Sequence, residues 1–402
     1  MQSRICVYDN IRQLLTMQPA ARKQGRGAVV ADLGLIEDAA VAVEGDTVRW
    51  VGAKAQLPKE FADAKRMSAQ RSVWLPALVE CHTHLVYGGS RHGDFARRCA
   101  GKTYQEIAQA GGGILSTVRD TRAASLDRLV DRARVSIAKF ADHGVGCLEI
   151  KSGYGLTLDS EIKILEAVEI LQRTTHVKLI PTFLPAHAVP PEYKGKTDSY
   201  VDAICDEWIP LIAHRKLAVF FDAFVEEGYF SVAQTRKMAK IALDHGLRIK
   251  LHVDQFTDQN ATALGVELGA VSCDHLEKIS ASGIRALAGS NTAAVLAPGA
   301  SLFTGLAYPP ARALLDAGAI VALSTDFNPG TCPSHNLPLM LTLACTQMRF
   351  TVAEALVAAT VGAAHAVGAQ DTFGSIEAGR PFHVWQLPID HYEQVPYRFG
   401  EV

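Results

Sequence analysis

Glu80–Gly89 reads ECHTHLVYGG and follows VWLPALV, an apolar run from Val73 with the character of a buried strand. Side chains at i and i+2 on a strand share a face, so His82 and His84 are expected to project together from its end. Two imidazoles there make a clamp for zinc or iron, although a lone H-x-H is also compatible with ordinary hydrogen-bonded histidines. What lies at the ends of the other apolar runs decides between the two.

Further runs begin near Val145, Val177, Leu217, Leu247, Ala270, Thr292 and Ala319. Between them lie amphipathic segments such as SLDRLVDRARVSIAKFADHG, LDSEIKILEAVEILQR, SVAQTRKMAKIALDHG and YPPARALLDAG, and three of these stop at a glycine suited to end a helix. Eight strand-plus-helix units fit an α/β fold, a (β/α)8 TIM-like barrel of about 250 residues, placed here at residues 73–361; a doubly wound sheet is the competing architecture. Residues 1–72 read differently. Glu44-Gly45-Asp46 looks like a hairpin turn between AVAV and TVRWVG, and the style returns in GSIEAGRPFHVWQLP near the end. Residues 1–72 and 362–402 are therefore expected to build a small β-sandwich beside the barrel.

The ends of the runs carry the polar residues. RIKLHVDQ ends the fifth with His252, VSCDHLEK the sixth with His275, and IVALSTDFNPG the eighth with Asp326. In a barrel these positions form the C-terminal mouth, where groups from different strands meet. Buried histidine and aspartate are costly unless paired or ligating, so their recurrence at strand ends favours a metal site. Cys81 and Cys273 flank this set. Alternation would turn Cys81 away from His82 but leave Cys273 on the same side as His275, and no cysteine is given a catalytic role.

The chain has 402 residues, 48% of them hydrophobic, and a formal net charge of −2. That balance supplies no field for nucleic acid or an anionic membrane, so a small-molecule partner is expected. The eight cysteines contain no C-x-x-C pair and read as reduced, mostly buried thiols. No basic leader with a long apolar core opens the sequence, and the expected location is cytoplasmic. A homodimer is the expected assembly only because symmetric dimers are the commonest.

H-x-H after strand one, His after strands five and six, and Asp after strand eight resemble the pattern of the amidohydrolase superfamily. The resemblance extends through HTHLVYGGSR, GGGILSTVRDTR, EIKSGYGL, PTFLPAHAVP, HVDQF, CDHLE and STDFNPGT. It implies one divalent ion, zinc or iron, held by His82, His84, His252 and Asp326. The fourth run, LAVFFDAFVEEGYF, has no lysine suited to bridging a second ion. The likeness is nearest to the branch acting on 4-imidazolone-5-propanoate, and it implies hydrolysis of the cyclic amide C–N bond to N-formimidoyl-L-glutamate in histidine degradation by a metal-activated hydroxide. Asp326 and His275 would be catalytic, the first moving the proton and the second stabilising the oxyanion. Arg91, Tyr154, His187, Gln255, Asn328, Gly330 and Thr331 would touch substrate or product.

Some of these roles have independent chemical sense. The guanidinium of Arg91 suits a propionate carboxylate, and His187 would donate to the ring carbonyl. Gln255 stands where deaminases of the superfamily carry an acid, and an amide cannot release a proton at neutral pH. A deaminase, or a cyclic-amide hydrolase acting on another heterocycle, is the alternative. Glu226 and Glu227 follow the fourth run, and alternation lets at most one reach the mouth.

Overall fold

The computed structural model describes residues 5–102, 106 and 110–401. Its strands in chain order are β1 (Ile5–Leu15), β2 (Leu35–Glu44), β3 (Thr47–Ala53), β4 (Lys65–Ser68), β5 (Val73–Pro76), β6 (Leu78–Glu80), β7 (Val145–Lys151), β8 (Lys178–Ala186), β9 (Phe220–Val225), β10 (Arg248–Val253), β11 (Ser272–His275), β12 (Ala293–Leu296), β13 (Val321–Leu323) and β14 (Val384–Leu387). Strands β6 to β13 pair in sequence order, every neighbour parallel. Past the strand ends, Thr83 pairs in parallel with Phe327 and brings the first and last strands together. The result is an eight-stranded, nearly closed barrel with helices around it.

The helices follow the sequence signals. Ser125 caps Leu126–Asp142 through the Arg128 amide, and Ser231 with Gln234 forms a capping box before Val232–Asp244. Their inward stripes, including Leu129, Ile137, Phe140, Met238 and Ala242, join the main core between helices and barrel.

The first apolar run divides between two sheets. Val73–Pro76 pairs with β1 and β14, whereas Leu78–Glu80 opens the barrel. Proline has no amide hydrogen to give to a ladder, and Pro76 ends β5 at this change of sheet. Both chain ends meet in one six-stranded mixed sheet, β14-β5-β1-β2-β3, with β4 added along β1. Apolar clusters line it, one around Ile11, Val41 and Trp74 and another around Val7, Ala42 and Phe61. Glu44 pairs with Thr47 across the Gly45-Asp46 turn, where Gly45 has φ +60°. No helix among the described residues is long and apolar enough to cross a membrane.

Candidate metal centre and active site

Beyond β6 the chain leaves the ladder, and His82 and His84 turn into the barrel mouth with ring centroids 5.3 Å apart. His252, on β10, brings its Nε2 to 3.3 Å from the Nε2 of His84. Asp326, just past β13, places Oδ1 3.6 Å from His82 Nε2 and 3.8 Å from His84 Nε2. All four side chains are almost fully buried.

Carboxylates fix which nitrogen faces the centre. Asp274 Oδ2 lies 2.6 Å from His82 Nδ1, and Asp222 Oδ2 lies 3.0 Å from His252 Nδ1. A carboxylate accepts, so each Nδ1 carries the hydrogen and each Nε2 turns a lone pair inward. His82 Nε2 and His84 Nδ1 are buried with no hydrogen-bond partner among the described residues. Nitrogen–zinc bonds of about 2.0–2.1 Å set tetrahedral ligands roughly 3.3 Å apart, near the separations found here. The donor set fits a divalent cation, and His82, His84 and Asp326 form a group able to hold one. Histidine clusters extend this group, with His275 beside His82 and His252, and His187 beside His84 and His252.

Burial holds the imidazoles of His82 and His84 well below the ordinary range, leaving them neutral and able to ligate. The carboxyl of Asp326 is pushed up to about 6 by burial, which outweighs the nearby His275 charge. His275 goes the other way. Burial opposes its charge, but Glu277, 3.7 Å away, with Asp326 and Asp274, carries it up to about 9.

All the expected site residues except the buried His82 line one cavity of about 500 Å³. Arg91 anchors Nε on Asp94 at 3.1 Å and lays its guanidinium over Gly330, where a Cβ would come within 2.1 Å of Nη1. Tyr154 is held in a loop by Glu161, which accepts from the amides of Gly153, Gly155 and Leu156 at 2.8, 2.7 and 2.7 Å. The amide of Asn328 is engaged within its own loop, accepting from Gly330 and Thr331 and donating to the Asp326 carbonyl and the Thr331 hydroxyl. Thr331 in turn donates to Asp326 Oδ2 at 3.0 Å. Asn328 and Thr331 therefore brace Asp326 as well as line the cavity.

Two expectations are corrected. His187 Nδ1 lies 3.1 Å from the Gly153 carbonyl, and burial holds the ring down at about 3. The carbonyl can only accept, so the hydrogen sits on Nδ1, and Nε2 offers the cavity an acceptor where a donor was expected. Cys273 and His275 do not share a side. Cys273 points outward against Gly265 of the surrounding helix, while His275, at φ +84°, leaves the strand conformation and swings inward. Asp326 is left-handed too, at φ +52°.

The sequence reading missed the layer beneath the ligands. Glu80 accepts from the His82 and Thr325 amides and from the Ser324 hydroxyl, joining β6 to the end of β13. Glu149, Lys151, Asp222, Lys250 and Asp274 are fully buried beside it. Their signal was charge inside apolar strands, in LEIK, FFDAFV, RIKLH and SCD. Of the adjacent pair, Glu226 is buried and takes the Phe256 and Thr257 amides, while Glu227 is exposed.

Residues 107–381 match the model of the amidohydrolase family. The chain is 45% identical to the imidazolonepropionase of Paracidovorax citrulli over 93% of its length and 91% of the relative's. To that of Bdellovibrio bacteriovorus it is 44% identical, over 98% and 93%. Among solved structures, a zinc-bound adenosine deaminase from Xanthomonas campestris superposes with a TM-score of 0.71 at 18% identity, covering 98% of this chain and 88% of that one. A 5-methylcytosine deaminase from Klebsiella pneumoniae gives 0.72 at 15% identity, covering 98% and 94%. At such low identity the deaminases speak for the fold alone, whereas the sequence relatives span nearly the whole chain. The chain belongs to the amidohydrolase family, in its imidazolonepropionase branch.

Proposed function

We propose that this cavity binds 4-imidazolone-5-propanoate and hydrolyses its cyclic amide C–N bond, yielding N-formimidoyl-L-glutamate. One observation carries the assignment of the site. Three imidazoles and a carboxylate from the ends of three strands, β6, β10 and β13, converge beside a cavity whose wall presents an arginine. The imidazolonepropionase relatives support the choice of substrate.

His82, His84, His252 and Asp326 would hold one divalent ion, zinc or iron, since the donor set suits both. Such an ion, when bound, polarises a carbonyl and lowers the pKa of water to about 7. Asp326 takes the proton from the attacking water and returns it to the departing ring nitrogen. His275, with Glu277 3.7 Å from its Nδ1, stabilises the oxyanion from its own side of the cavity. The Arg91 fork grips the propionate carboxylate. Nε2 of His187 accepts from a ring N–H, and the Tyr154 phenol, kept protonated by burial, donates. Gln255 hydrogen-bonds the ring and cannot protonate it, which weighs against deamination.

The test pairs metal analysis of the purified protein with turnover of freshly made imidazolone-propanoate, following the dicarboxylate product by mass. About one equivalent of zinc or iron and chelator-sensitive turnover are expected. Undiminished turnover after exhaustive chelation would sink the proposal.

A further inference from the structure

Below the ligand histidines lies an ion network that the hydrolysis itself does not use. Lys151, the last residue of β7, is completely buried and points its ammonium at three carboxylates. Nζ donates to Glu149 Oε1 at 2.7 Å and to Asp222 Oδ2 at 2.8 Å, and lies 3.5 Å from Asp274 Oδ2. The same two carboxylates face the imidazoles: Asp222 sets Oδ1 3.1 Å and Oδ2 3.0 Å from His252 Nδ1, with Oδ1 also accepting from the His252 amide, and Asp274 Oδ2 is 2.6 Å from His82 Nδ1. Three strands, β7, β9 and β11, thus meet on one cation, and the histidines they steer come from β10 and the loop after β6.

Lys250, the other buried lysine here, is arranged differently. Its Nζ donates to the Cys81 and Ala366 carbonyls at 3.2 and 3.0 Å and to the Ser272 hydroxyl at 2.8 Å, while Asp274 stands 3.6 Å away. Lys250 spends its donors on two carbonyls and a hydroxyl. Lys151 spends its donors on carboxylates.

We propose that Lys151 is a positioning residue for the metal centre, a single buried ammonium that sets the hold of Asp222 on His252 and of Asp274 on His82 together. The physical need is plain. Two carboxylates in the interior repel each other and demand a countercharge, and the geometry of each sets the orientation and basicity of one ligand. A cation shared between them makes the two imidazoles respond as a unit, although no segment of chain joins them directly. The inference rests on reading His82 and His252 as metal ligands.

The experiment uses full-length apoprotein, with Zn2+ affinity measured by chelator competition and Co2+ absorption as the reporter of ligand geometry. Wild type binding Zn2+ tightly establishes the metal centre, and failure to bind would overturn that reading and the inference with it. Given a binding wild type, Lys151→Met is expected to weaken Zn2+ affinity by about 10- to 100-fold and to alter the Co2+ spectrum. A purely structural lysine would lower the melting temperature of the apoprotein yet leave affinity and spectrum unchanged, and that result would overturn the inference. Should Lys151→Met not fold, Asp222→Asn, Asp274→Asn and their combination decide the matter. With one shared cation, the double variant loses less affinity than the product of the single losses. Agreement with that product to within about twofold would mark two independent pairs and also overturn it.

Discussion

The imidazole of His187 stacks on that of His84, centroids 4.7 Å apart and planes 13° from parallel. The stack presses a histidine from the loop after β8 onto a ligand candidate, and the Gly153 carbonyl fixes its tautomer. If Nε2 accepts a hydrogen bond from the substrate ring, His187→Phe keeps a flat ring in the stack and removes that acceptor together with the Nδ1 bond to the Gly153 carbonyl. Losing the substrate bond costs about 1–3 kcal/mol, so kcat/KM should fall about 10- to 100-fold, while the lost Gly153 contact shows separately as a lower melting temperature. Full activity in His187→Phe would leave the ring as packing alone.

Gly330 and Arg91 make a second linked pair. The guanidinium occupies the space that any larger side chain at position 330 would need, with Nη1 only 2.1 Å from the place of a Cβ. Gly330→Ala should therefore displace the fork and resemble Arg91→Met, raising KM for the acidic substrate by about 10- to 100-fold, the worth of a charge-assisted pair. Steady-state kinetics of the two variants side by side supply the check. An unchanged KM in Arg91→Met would remove arginine from substrate recognition.

The residues facing the cavity were legible because chemistry-bearing side chains stood where apolar runs ended. His82, His84, His252, His275 and Asp326 each interrupt such a run, and parallel pairing around a barrel brings strand ends together. Three features were hidden for physical reasons. The VWLPALV run is continuous in hydrophobicity, and nothing in that pattern marks the change of sheet at Pro76. Alternation could not foresee the left-handed turn at His275, because tertiary packing imposes it. The buried charges at Glu149, Lys151, Asp222 and Asp274 compensate one another across strands far apart in sequence, so each alone reads as an oddity.

Asp326 gives a pH dependence with a definite sign. In the metal-free protein its carboxyl is raised from 3.8 to about 6, chiefly by burial. The fold thus favours the protonated form. That contribution to stability is complete below the unfolded value of 3.8 and is lost as pH rises through about 6. Glu80, raised by burial to about 7, acts in the same direction. His82, His84 and His187, held neutral by burial, act in the opposite direction, so the part due to Asp326 is read as the melting temperature of chelator-treated wild type minus that of Asp326→Asn, a difference expected to fall as pH rises from about 4 to about 6.5. A divalent ion must displace the same proton, so Zn2+ affinity should weaken about tenfold per pH unit below 6. Affinity that stays flat between pH 5 and 7 would remove Asp326 from the ligand set. Asp326→Asn is also expected to abolish turnover in a folded protein.

Glu161 tests whether Tyr154 acts through its placement. Gly153, at φ +104°, sets a turn that favours glycine, and three successive amide contacts to the buried Glu161 carboxylate hold the loop over the cavity. Burial raises this carboxyl above its ordinary range against the pull of those amides. Glu161→Ala strands the N–H groups of Gly153, Gly155 and Leu156, each at a cost of about 1–3 kcal/mol if it stays buried. The loop should then open toward water, exposing those amides to hydrogen exchange and loosening Tyr154. Turnover should fall with it, since a displacement near 1 Å can cost about 100-fold. Tyr154→Phe, which keeps the loop closed, should lose catalytic efficiency without gaining exchange. Matching losses of activity in both variants, with fast exchange only in Glu161→Ala, would assign Glu161 to positioning and the phenol to contact with the substrate. Slow exchange in Glu161→Ala would instead show that the turn holds itself.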